Sequence, residues 1–182
     1  MSEDRPLPSP RTDHEPMAFT RDELTRGAWY AWLTFMALMT GGVLVVLSAS
    51  HALRPESGPL SGLWFTLLTA LIGCALIGGT VSLIAMVLGT LIALPIGHAL
   101  RRISHPALHL LSYCLLSAAM AALGALVTVP ILEGLGNLGV AIVVAVVLAA
   151  IPAAPVGWWL TSRRALRDDA WRARSGTITA HE

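Results

Sequence analysis

Three histidines carry the ligand-like spacing in this sequence. His105 and His109 stand four residues apart, so a helix would present both imidazoles on one face, and His98 lies across a short loop from them. That pattern suits a metal site, or the axial ligands of a haem in a membrane cytochrome. No acidic third ligand accompanies it, and His105 precedes Pro106 as the residue opening a helix does. Interfacial histidines without a ligand are the plainer reading, and no metal or cofactor is expected. Cys74 and Cys114 fit no metal or redox spacing and read as small apolar residues.

Other chemistry is sparse. Membrane proton pumps and many ion-coupled carriers keep a charged side chain inside the bilayer, where it costs several kcal/mol and is retained for use. Here no Asp, Glu or Arg occurs from Gly27 to Leu53, Ser57 to Leu100, Ile103 to Leu132 or Gly134 to Ser162, and Lys is absent altogether. Glu133 falls in a turn and reads as solvated. Nucleophile motifs, phosphate-binding glycine loops and paired carboxylates are missing from the apolar blocks and their borders, so an enzyme is not expected.

The elements that would position these residues are apolar helices. Of 182 residues, 55% are apolar and 13% charged, against roughly 25% charged in soluble proteins. Each uncharged block exceeds the roughly 20 residues that cross a ~30 Å hydrocarbon layer, and a water-soluble chain this short would have to bury all four at once. The expectation is an all-α, integral membrane four-helix bundle in the plasma membrane, with spans at about 27–50, 62–100, 106–132 and 138–162.

Residues 1–19, with Pro6, Pro8, Pro10 and Pro16, read as a disordered cytoplasmic tail rather than a cleaved leader. Thr20 and Glu23 form a capping box and Phe19 with Leu24 a hydrophobic staple, predicting a helix from Arg21 to about Ala49. Residues 51–61 read as a loop, 133–137 as a tight turn, and 163–182 as a basic cytoplasmic tail. Its segment Arg163 to Arg174 resembles a juxtamembrane basic helix with Arg163, Arg167, Trp171 and Arg174 on one face, although a plain stop-transfer anchor explains the same residues.

With four crossings, both termini are placed in the cytoplasm, because eleven of twelve Arg then lie inside and only Arg54 outside. A reversal at Gly78 and Gly79 would give five crossings and leave four Arg outside, a poorer fit. Trp29, Tyr30, Trp32, Trp64, Trp158 and Trp159 mark span ends at headgroup level.

Small residues recur at every fourth position: Ala141, Ala145, Ala149, Ala153 and Gly157 in the last span, Ala85, Gly89, Ala93 and Gly97 in the second, and Ser117, Ala121 and Ala125 in the third. Such stripes let helix backbones approach closely in lipid, and packing within the bundle is the plainer use of them. The second span has 39 residues from Gly62 to Leu100, whereas a span tilted by roughly 40° uses only about 26. A bend near Pro95 is therefore predicted, gathering His98, Arg101, Arg102 and His105 into a basic corner against the start of the third span. Arg101 and Arg102, with Arg163, Arg164 and Arg167 beyond the last span, are candidate contacts for anionic lipid or an acidic partner.

Net charge is +1, which gives no reason to expect nucleic acid. Two functions remain. One is a non-enzymatic bundle that assembles with itself or another membrane protein; the other is a small carrier or pore for a neutral or apolar solute. Haem or metal binding through His98, His105 and His109 is a minor third.

Overall fold

The computed structural model describes residues 12, 14, 15, 17–53 and 60–178. Expectations for residues 1–11, 13, 16, 54–59 and 179–182 lie outside the described residues.

Helix α1, Arg21–Ala52, begins at the capping box: the Glu23 N–H donates to Thr20 Oγ1 at 3.2 Å, and the Thr20 N–H to Glu23 Oε2 at 3.0 Å. It runs past Ala49 to Ala52. The second span is one continuous helix of three parts. α2 (Leu60–Gly73) passes through a π turn (Cys74–Gly78) into α3 (Gly79–Leu100). There is no reversal at Gly78 and Gly79, both of which keep right-handed helical dihedrals. Pro95, where the sequence predicts a bend, sits exposed inside a helix that runs on to Leu100, and a π turn interrupts the α-helical spacing earlier, at Cys74–Gly78.

α4 (Pro106–Leu132) and α5 (Asn137–Ile178) are joined by a 3₁₀ turn, Glu133–Leu135. Gly136 has φ +53°, a conformation open to glycine at no steric cost. A Cβ on Gly139 would strike the Leu132 carbonyl, so the turn needs glycine twice. α5 does not stop near Ser162. The same helix continues to Ile178 through Pro152 and Pro155, so the expected C-terminal tail is mostly its extension. The Arg cluster after Ser162 signals departure from an apolar stretch, whereas a helix ends only where its hydrogen bonds or caps do.

Four helices are long and apolar enough to cross a membrane: Arg21–Ala52, Gly62–Leu100, Pro106–Pro130 and Asn137–Trp171. The start of α1, the end of α3, the start of α4 and the later part of α5 meet at one end of the bundle, called the termini end below. α5 packs extensively on α1 and α4, whereas α3 touches α1 and α4 only sparsely. Interior and surface are inverted relative to a soluble protein. The buried apolar residues include Ala93, Ala121, Ala149, Ala153 and Ala165, while Leu68, Leu76, Leu91, Leu115, Leu126 and Leu148 are exposed. Small residues inside permit close backbone approach, and a large apolar surface suits lipid.

Candidate apolar cleft

The α1–α5 contact shows what the small residues accomplish. A Cβ on Gly157 would stand 2.6 Å from the Gly27 carbonyl oxygen and 2.8 Å from Ala31, and one on Gly42 would stand 3.2 Å from Ala145 Cβ. Ala149 and Ala153 are buried between these points and Ala141 is half-buried. Glycine and alanine thus set the interhelix distance. Gly27, Ala31 and Gly42, the α1 half of the seam, escaped the sequence reading, although Gly27 and Ala31 already show the four-residue spacing.

The α3 stripe is placed differently. Ala85, Gly89, Ala93 and Gly97 line a cleft of about 800 Å³ between α1, α3, α4 and α5. Larger groups on α1 and just before it hold α3 away. Phe19 lies against Gly97, the Trp32 indole N–H donates to Ser82 Oγ at 3.0 Å, and Met39 lies under Gly78. Between these props the small residues leave space, and a Cβ on Gly89 would meet nothing within 4 Å.

Facing α3, the helical period brings His109, Tyr113, Ser117 and Ala121 onto one side of α4, and all four are buried. Sequence reasoning took this row only in part, as Ser117, Ala121 and Ala125, and set His109 apart from it. The His109 ring stacks on Trp158 of α5 at 5.4 Å and 8°, and Tyr113 on the same indole at 6.2 Å and 27°. His109 Nε2 is 2.9 Å from the Ile103 carbonyl oxygen; a carbonyl only accepts, so Nε2 carries the hydrogen. Tyr113 is 8% exposed and Ser117 6%, and neither hydroxyl has a hydrogen-bond partner among the described residues. Thr161 also lines the cleft, but its Oγ1 is fully enclosed without a partner, wedged beside Gly27 in the α1–α5 seam.

The three histidines do not converge, and among the described residues no group of three His, Cys, Asp or Glu could hold a metal ion. His105 is the extended residue before α4 (φ −77°, ψ 108°), so it does not share a helical face with His109. His98 meets Phe19 edge to face at 5.6 Å and keeps its Nδ1 3.0 Å from the Leu94 carbonyl oxygen. The expected basic corner is covered by the segment before α1. Arg101 pairs with Glu15 at 3.2 Å, and the Met17 N–H donates to the Arg101 carbonyl at 3.2 Å. Arg102 is exposed. On α5, Arg163 lies 4.2 Å over the Trp159 ring, Arg164 donates to Tyr30 Oη, and Arg167 is exposed.

No family model, curated protein or solved structure matches this chain.

Chemically, the cleft can hold hydrocarbon and hydrogen-bond to oxygen. Glu23 is the one carboxylate among its described lining residues and is engaged in the capping box; no Arg lines it.

Proposed function

We propose that this chain is a non-enzymatic, multi-pass plasma-membrane protein that binds an uncharged apolar molecule in the four-helix cleft, as a carrier or lipid-binding component. Both termini are assigned to the cytoplasm on the Arg balance, with Arg102, Arg163 and Arg167 available to anionic headgroups there. One observation carries the reading: a stripe of small residues on α3 faces about 800 Å³ of space instead of another helix. That volume lies within the ~300–1,000 Å³ typical of small-molecule sites.

Assembly with a partner draws less support. The α5 stripe that would have offered an intermolecular seam is occupied by α1 of the same chain.

Native mass spectrometry of protein extracted in mild detergent tests this reading. The wild type should retain a small apolar molecule, and Gly89→Phe, which fills the cleft where a side chain meets no obstacle, should lose it while keeping its elution profile. Wild-type protein carrying no small molecule, and co-purifying in fixed ratio with another membrane protein, would favour assembly instead.

A further inference from the structure

The cleft is not uniformly apolar. Its polar lining on α4 is concentrated toward the termini end, where His109, Tyr113 and Ser117 occupy the first three turns of the helix; beyond them come Ala121, Gly124, Val127 and Thr128, whose hydroxyl is taken up by the Gly124 carbonyl. Tyr113 and Ser117 are more than nine-tenths buried, line the cleft and have no hydrogen-bond partner among the described residues. The Tyr113 hydroxyl stands opposite α3, 3.5 Å from where a Cβ on Gly97 would be. The space that a side chain at 97 would take is filled by the Phe19 ring, which lies beside that hydroxyl and bounds the subsite there. Unlike the enclosed Thr161 Oγ1, these two hydroxyls keep open surface in the cleft, so a bound oxygen can reach them and hydrogen-bond there.

Resting on the cleft reading, we infer that Tyr113 and Ser117 form a subsite for the hydroxyl or carbonyl oxygen of a neutral long-chain amphiphile, with its hydrocarbon chain directed along Gly89 and Ala85 away from the termini end. The ligand class follows from the lining. A carboxylate or phosphate head would need a cation, and no Arg lines the cleft among the described residues. A pure alkane would leave both hydroxyls unpaired.

The full chain in phosphatidylcholine nanodiscs, corrected against empty discs, is titrated with tritiated 1-hexadecanol, hexadecane and palmitate. Hexadecanol should bind tightest. Tyr113→Phe and Ser117→Ala should each weaken it roughly 3- to 10-fold, the range for one net hydrogen bond, and leave hexadecane unchanged. Orientation is read separately from Trp158, which stacks on His109 and Tyr113. Bromine near the hydroxyl should quench fluorescence more than bromine at the chain end, and Trp158→Phe should remove the difference. Hexadecanol and hexadecane binding equally, both lost in Gly89→Phe and both unaffected by the two α4 variants, would overturn the oxygen subsite and leave the cleft reading standing. Binding of neither probe above empty discs would overturn both.

Discussion

Thr161 and Gly157 lie one helical turn apart on α5 and predict opposite responses to small substitutions. The Thr161 hydroxyl is enclosed beside Gly27 with nothing to bond. Thr161→Val keeps its shape and removes the unpaired group, so it should stabilise the protein by about 1 kcal/mol; a lower melting temperature in detergent would show that the hydroxyl is engaged. Gly157→Ala places a methyl against the Gly27 backbone and should cost about 1–3 kcal/mol, read from the same melting curve. Glycine at 157 was legible because its four-residue spacing continues the stripe. The Tyr113–Ser117 pair was not. A hydroxyl in an apolar helix ordinarily donates to the carbonyl four residues back, as Thr80, Thr90, Ser112 and Thr128 do here. Nothing in the sequence sets Ser117 apart from Ser112.

At the scale of helices, the two longest stripes have the same spacing and different neighbours. Ala149 is 3% exposed, so Ala149→Leu should cost about 1–3 kcal/mol by overpacking. Gly89→Leu projects into the cleft and should leave thermal stability unchanged or raised. Equal losses at both sites would mean that α3 packs as tightly as α5. Spacing reveals which residues share a face, but the distance to the facing helix depends on bulky side chains elsewhere, here Phe19, Trp32 and Met39. For that reason the stripes were legible and the cleft was not. Boundaries followed the same logic: the start of α1 was readable from Thr20 and Glu23, which bond within four residues, while the end of α5 was obscured by Arg residues that a helix accommodates readily.

For the whole molecule, the proposed topology of four crossings would place both termini on one side, and the Arg balance assigns that side to the cytoplasm. Cysteines introduced at Ser9 and Ser175 should be shielded from an impermeant thiol reagent in intact cells, and one at Ser57 should react. Labelling at Ser9 would reverse the orientation. Four helices were readable because uncharged blocks are a local property of the sequence. Their unequal packing was not, because it arises only when α3 is placed against α1 and α4.

The π turn at Cys74–Gly78 gives that placement a further meaning. Such a turn absorbs about one residue more than an α-helix would over the same path, and one residue corresponds to roughly 100° of rotation. α2 and α3 therefore form one rod with two phases, and the turn sets the angle between them. Deleting Ile77 should restore an ordinary helix and keep Ala85, Gly89, Ala93 and Gly97 facing inward. Deleting Leu83, below the turn, should swing those four residues by about a quarter revolution into the lipid. In a deletion scan of this helix, tolerance should thus be confined to a five-residue window, an asymmetry that a uniform α-helix would lack.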